Sequence, residues 1–274
     1  MATLLQQQGG ILNRFFYINK KNMKDTTLKQ KLKNKENTIG SWITIPHQAI
    51  IDILAEAGFD WLTIDLEHTS IDYNELQILI GFIQSHNMAA LVRVSKNEEV
   101  VIKRALDAGA DGIIVPMICS AEEAKMAVEF AKYPPVGKRG VGLNRAQRYG
   151  YNFEGYKEWV DKHLVVIAQI EHIDGVKNID AIISTPGIDG IIIGPYDLSG
   201  SLGIPGQYNE PVVQQALKKV EQICNDRKFS MGYHVIDPKI ELVKEKNAAG
   251  YNFIAFSTDF FFMGRKASEE MSKI

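Results

Sequence analysis

The chain has 274 residues, with 31 Lys+Arg against 33 Asp+Glu, a formal net charge of −2 at pH 7, and 45% hydrophobic residues. This balance supplies no basic field for a polyanion, which argues against nucleic acid as a partner, and no apolar run approaches the ~20 residues of a membrane-spanning helix. Two cysteines, Cys119 and Cys224, make neither a disulfide framework nor a metal cluster and suit a reducing cytoplasm.

Residues 1–22 lack the long apolar stretch and small-residue cleavage site of a secretory signal. They read as an N-terminal extension, poorly ordered unless something docks them. Met23 is a second plausible start and opens the domain, 23–274. From residue 39, short β-branched runs alternate with amphipathic stretches of helical length, the pattern of βαβ units and a parallel sheet. Eight strands are predicted at 39–45, 60–65, 89–94, 111–116, 164–170, 189–194, 230–235 and 252–257. Helical patterns such as YNELQILIGFIQSH and EPVVQQALKKVEQICND lie between them. Several end in Gly, as in AEAGFDW, LDAGADG and NAAGYNF, where Gly supplies the left-handed residue past the last turn. Eight such units in one chain of this length predict an α/β fold, a closed (β/α)₈ TIM barrel in a single domain, with an open doubly wound sheet as the alternative. Residues 133–152, YPPVGKRGVGLNRAQRYGYN, show no clear period and read as a long functional loop.

In such a barrel, chemistry sits where strands end. The polar residues there are Asp65, Glu67 and His68 after the second strand, Arg93 in the third, and Gln169, Glu171 and His172 at the fifth. Gly194-Pro195-Tyr196-Asp197 follow the sixth, His234 lies in the seventh, and Ser257 and Asp259 are near the end of the eighth. Glu171 and Asp197 form a hard oxygen pair that suits Mg²⁺ or Mn²⁺ with several waters retained; each alternatively caps the following helix. A charge at Arg93 inside ALVRV needs a partner. Its fork fits a carboxylate or a developing oxyanion, and Asp65 or Glu67 is the structural alternative. His68, beside two carboxylates, suits general acid–base work or is a loop histidine. His234 is a second candidate, while His47, His86 and His163 read as solvated or capping. No predicted strand ends in a Lys able to form a Schiff base.

GFDWLTIDLEH, ALVRV, YPPVGKRGVG, the strand end QIE and the turn IGPYDLSGSLG occur in the order and spacing of one family. They resemble the HpcH/HpaI group of metal-dependent 2-oxo-acid aldolases, over nearly the whole chain from Ile39. The resemblance implies that Glu171 and Asp197 hold a divalent metal (Mg²⁺ or Mn²⁺, with Co²⁺ as a third option). It implies that His68 is the acid–base histidine supported by Asp65, and that Arg93 contacts pyruvate and steadies the enolate oxygen. Gln169, Gly194 and Pro195 would line the pyruvate surface, and Asp107 matches a further acidic position. The implied activity is reversible cleavage of a 4-hydroxy-2-oxo acid to pyruvate and an aldehyde, small molecules both, by a cytoplasmic homo-oligomer. The group's assembly is a hexamer with C-terminal helices exchanged between subunits. A citryl- or malyl-CoA lyase, a 2-oxo-acid decarboxylase or hydratase, and a catalytically silent binding barrel are the other readings. The chain departs from the group in LNRAQRYGYN, in GYHVIDP and at Tyr196. Arg145, Arg148, Tyr149 and Tyr151 thus predict a polar, anionic or sugar-derived aldehyde, or alternatively a contact with a neighbouring subunit.

Overall fold

The computed structural model describes residues 28–274, so the expectation for residues 1–22 lies outside the described residues. Eight parallel strands close in sequence order, each bonded to the next and β8 back to β1. They are β1 (Thr38–Ile43), β2 (Trp61–Asp65), β3 (Ala89–Arg93), β4 (Gly112–Val115), β5 (Val165–Ile170), β6 (Gly190–Ile193), β7 (Met231–Val235) and β8 (Phe253–Thr258). The open doubly wound sheet is thereby excluded. Each predicted strand lies within one or two residues of an observed one.

The helices are α1 (Leu28–Lys33), α2 (Gln48–Glu56), α3 (Tyr73–Ser85), α4 (Glu99–Asp107), α5 (Ala121–Ala131), α6 (Phe153–His163), α7 (Ile173–Lys177), α8 (Ile179–Ile183), α9 (Pro195–Ser201), α10 (Pro211–Asp226), α11 (Ile240–Ala248) and α12 (Asp259–Met271). Among the described residues no helix is long and apolar enough to cross a membrane. Gly58, Gly109 and Gly250, past the ends of α2, α4 and α11, have φ of +83°, +105° and +98°, the left-handed conformation expected of them.

Strand side chains alternate between two cores. One set faces the helices, with Leu62, Ile64, Val92, Ile113, Val166 and Ile193 among its members. The other fills the barrel and includes Trp42, Trp61, Leu91, Ile114, Ile167, Ile192 and Phe253. Trp61 and Phe253 stack inside the barrel with centroids 4.3 Å apart. Helix α1 closes the N-terminal end of the barrel, its Leu28 and Leu32 joining the interior cluster.

The residue before each even-numbered strand ties down its odd-numbered neighbour. Asp60, Asp111 and Asp189 accept the backbone N–H of Ile39, Ala90 and Val166 at 2.9, 2.8 and 2.9 Å. Asn252 does the same for Met231 at 3.2 Å. This is the physical content of the acidic residue in the repeated helix–Gly–Asp–strand phrase: it satisfies a backbone donor at the strand's open start. Lys29 and Lys31 of α1 pair with two of these carboxylates, Asp189 at 2.9 Å and Asp60 at 2.7 Å.

Candidate active site at the C-terminal mouth

The period of two that fills the barrel also decides which polar residues share its mouth. Counting up from interior residues, Trp61 leads to Asp65, Leu91 to Arg93, Ile167 to Gln169 and Glu171, and Ile192 to Gly194. Each is an even number of residues from an inward neighbour. Asp65 and Arg93 are register partners on adjacent strands, and the fork of Arg93 meets Asp65 with both arms, Nε to Oδ1 at 2.9 Å and Nη2 to Oδ2 at 2.6 Å. Asp65 Oδ1 also accepts the backbone N–H of Glu67 at 2.9 Å. Burial pushes the Asp65 carboxyl up, but the Arg93 contacts outweigh it and hold the group below the ordinary aspartate value.

Glu67 is drawn in as well. Its Oε2 is 3.4 Å from Arg93 Nε and 3.6 Å from His68 Nε2. That oxygen is buried without a hydrogen-bond partner. Burial raises the Glu67 pKa, and the Asp65 and Asp197 carboxylates add to the rise against the pull of Arg93. The His68 side chain is 64% exposed at the rim, free to meet a substrate in the mouth.

Glu171 stands one residue past β5 and is 4% exposed. Its Oε1 accepts the Met117 backbone N–H at 2.7 Å, and Gln169 Nε2 donates to its Oε2. Burial, with the charges of Glu67 and Asp197, pushes Glu171 up to about 7 in spite of those two donors. A Cβ on Gly194 would stand 2.9 Å from Glu171 Oε2, so the glycine leaves open the space in front of this oxygen. Asp197 lies in the first turn of α9, after Gly194 and Pro195; no side-chain cap accompanies that helix start. Gly194, Pro195, Asp197, Gln169, Arg93, Trp42 and His234 line one small pocket of about 50 Å³. Tyr196, 55% exposed, sits at its edge.

Among the described residues no three His, Cys, Asp or Glu side chains come together as a ready-made metal cage. The chain instead offers two carboxylates, Glu171 and Asp197, beside an open space. Hard oxygen donors that repel one another and leave coordination positions free fit a hydrated divalent cation. A cation there also relieves the repulsion that raises Glu171.

The other predicted positions sort by location. His234 stacks obliquely on Trp42 at 5.4 Å; burial and the nearby Arg93 charge lower its pKa to about 4, so it stands in the mouth as a neutral imidazole. His172 and His47 are helix N-caps, their Nδ1 atoms accepting from Asp174 and Ala49. Asp259 is buried and accepts from the backbones of Thr44 and Ile45, both at 2.8 Å, and so clamps β1 to β8. Of the two readings of the 133–152 loop, recognition of the aldehyde in the mouth of the same chain is corrected; the contact with a neighbouring subunit is untouched by the loop's position. The loop follows the C-terminal end of α5 and precedes α6 and β5, which puts it at the opposite end of the barrel. There Arg145 donates to Ala108 O at 3.1 Å and to Gln84 Oε1 at 2.9 Å, at the ends of α4 and α3, away from the mouth of its own chain. Asp107 is at that end too, paired with the fully buried Arg139 at 2.6 Å.

Sequence reasoning missed Met117. Its φ of +55° is left-handed for a non-glycine residue, a strained conformation that points its N–H at Glu171. A backbone donor has no side-chain signature, so no residue type marks it.

The HpcH/HpaI aldolase/citrate lyase family model matches residues 38–263. The chain belongs to this family. It is 34% identical over 239 residues, 87% of this chain and 92% of the relative, to a 2-dehydro-3,6-dideoxy-6-sulfogluconate aldolase of Pseudomonas putida. A hydroxypyruvate/pyruvate aldolase of Roseobacter denitrificans is 35% identical over 85% of this chain and 91% of its own length. The solved structure of an HpcH/HpaI aldolase/citrate lyase family protein from Burkholderia cenocepacia superposes with a TM-score of 0.85 at 31% identity, covering 90% of this chain and 98% of that one. The family is generally dependent on a divalent metal, and the chain is an aldolase, a carbon–carbon lyase.

Proposed function

We propose that the chain reversibly cleaves a 4-hydroxy-2-oxo acid to pyruvate and an aldehyde. The observation that carries this reading is the Asp65–Arg93 fork set beside the Glu171–Asp197 carboxylate pair in one mouth. Arg93 and the surface of Gln169, Gly194 and Pro195 bind and orient the 2-oxo-acid half. Glu171 and Asp197 hold a divalent cation, Mg²⁺ or Mn²⁺ with Co²⁺ as a substitute, which when bound supplies Lewis acidity to the 2-oxo group. His68 takes the proton of the C4 hydroxyl as the C3–C4 bond breaks. The bonding pair passes to the pyruvate fragment as its enolate, and protonation at C3 gives pyruvate. Arg93, kept charged by Asp65, stabilises the oxyanion as it develops. Asp65 is a positioning residue: its carboxylate fixes Arg93 and the turn that carries His68.

The assembly in this reading is a hexamer that exchanges C-terminal helices. In support, α12 buries only Asp259 and leaves Phe260, Met263 and Met271 exposed, an apolar surface that a neighbour would cover. Free cysteines, with Cys224 buried, fit a cytoplasmic setting.

The test is pyruvate release from a panel of 4-hydroxy-2-oxo acids, with Mg²⁺, Mn²⁺ or Co²⁺ added back after chelation. Metal-dependent release is the expected result; carbon dioxide or a hydrated product in its place would contradict the reading. Sedimentation of the wild type and of a chain lacking α12 tests the hexamer.

A further inference from the structure

A cavity of about 540 Å³ opens at the floor of the barrel, where the 133–152 loop crosses the ends of α3 and α4. Its size is that of an ordinary small-molecule site, and Asp111, Arg145, Arg148, Tyr149, Tyr156 and Trp159 are in its lining. Elsewhere at this end cations meet carboxylates, as in the Arg139–Asp107 pair. Here the described lining sets two arginines against one aspartate. Asp111 is already engaged, by the Ala90 backbone N–H at 2.8 Å and by Gln84 Nε2 at 3.1 Å. Arg145 lies across two glycines: a Cβ at Gly109 would stand 2.2 Å from its Nη1, and one at Gly81 would stand 3.5 Å from its Nη2. Its bonds to Ala108 O and Gln84 Oε1 fix the guanidinium and, among the described residues, use two of its five N–H donors. Burial lowers its pKa in spite of the nearby Asp111 carboxylate, as for a cation short of counter-charge.

We propose that this cavity binds a small molecule in which a planar ring carries an anionic group, a carboxylate or a phosphate. It is a second site, at the end of the barrel away from the mouth, and it does not depend on the aldolase reading. Arg148 and Tyr149 hold consecutive left-handed backbone, φ +52° and +55°, ahead of Gly150 at +93°. Residues other than glycine adopt this conformation at a cost. Here it puts a guanidinium and a phenol next to each other on one cavity. The Tyr149 side is open, the residue being 62% exposed, so the ring presents a face for stacking. Tyr156 and Trp159, stacked with centroids 5.8 Å apart, are buried and give the inner wall aromatic surface. An anionic group held by Arg145 and Arg148 thus leaves its ring against Tyr149 and Trp159. The arginines alone would suit any small anion; the aromatic walls and the volume select one that carries a ring.

The experiment is isothermal titration calorimetry of the Mn²⁺-loaded enzyme with two probes, AMP for a phosphate and 2-naphthoate for a carboxylate. Adenosine, 2-naphthamide and inorganic phosphate are the controls that lack the charge or the ring. The expected result is one site per chain for at least one probe, roughly tenfold or more tighter than its controls, and the probe that binds names the source. Arg148→Asn removes the charge and Tyr149→Asn the ring, each with a residue that accepts left-handed backbone. Either variant weakens the bound probe roughly tenfold or more at an unchanged unfolding midpoint. Saturating pyruvate leaves the probe bound. Failure of both probes, displacement by pyruvate, or binding that Arg148→Asn does not weaken overturns the site. Sedimentation of Arg148→Asn adds one more outcome: a particle that dissociates, where the wild type binds neither probe, gives the cavity to a neighbouring subunit and likewise overturns it.

Discussion

The two ends of this barrel are built from similar residues to opposite ends. At the N-terminal floor, charges meet opposite charges: Lys29 with Asp189, Lys31 with Asp60, and Arg139 with Asp107. At the C-terminal mouth like charges crowd instead: the Asp197 carboxylate adds to the raised pKa of both Glu67 and Glu171, and Glu67 adds to that of Glu171. Neutralised charge and tied strand starts stabilise a fold; crowded like charge is kept where a ligand is to be held. The floor holds the sheet closed, and the mouth is destabilised in favour of chemistry.

The sharpest way to break that contrast is at the carboxylate pair. Glu171→Gln or Asp197→Asn abolishes turnover, yet thermal unfolding shows a stability equal to or above the wild type, because mutual repulsion is removed. On the floor, Arg139→Met does the reverse. It leaves Asp107 buried and unpaired and costs about 3–5 kcal/mol in urea unfolding, the usual penalty for breaking a buried pair from one side. His68→Ala comes next, lowering kcat by roughly 10²–10⁴ with unchanged stability and cation affinity, since its side chain is mostly solvent-exposed. If cation binding falls with it, His68 is a ligand and not a proton carrier.

The smallest effect is in the pH dependence of stability, and it sharpens the comparison because both ends contribute. In the mouth, His234 has its pKa lowered to about 4 by burial and the Arg93 charge. The unfolded chain then binds the extra proton between about pH 4 and the ordinary histidine value of about 6.5, so stability falls as pH drops through that window. On the floor, burial and the charge of Lys29 lower Lys132 to about 8. Stability therefore rises as pH climbs from about 8 toward the ordinary lysine value of about 10.4. Replacing His234 with Phe flattens the acid limb only, and replacing Lys132 with Met flattens the alkaline limb only. Unfolding midpoints across pH 4–10 read both limbs.

Most of the fold was legible in the sequence because its signals are periodic. DWLTID and ALVRV declare strands by their β-branched runs, and the glycines after α2, α4 and α11 declare the turns. The convergence of Asp65, Arg93, Gln169 and Glu171 follows from the same period of two, once the strand ends are placed. What was not legible depends on which end of the barrel a connection occupies. The 133–152 loop reads as part of the mouth because it is long, cationic and aromatic, yet its place after a descending helix sets it on the floor, where Arg145 donates to Ala108 O and to the Gln84 side chain. Helix α1 has only Leu28 and Leu32 to mark it as the plug. Met117 acts through its backbone, which a side-chain census cannot register.

The central claim is that Glu171 and Asp197 hold the divalent cation on which cleavage depends. Its most direct measurement is a titration of Mn²⁺ into exhaustively chelated protein, with free Mn²⁺ followed by electron paramagnetic resonance and pyruvate release assayed at each point. The account predicts one ion bound per chain, turnover that rises in step with occupancy, and loss of both in Asp197→Asn. Full turnover by the chelated protein, or unchanged Mn²⁺ binding by Asp197→Asn, would contradict it.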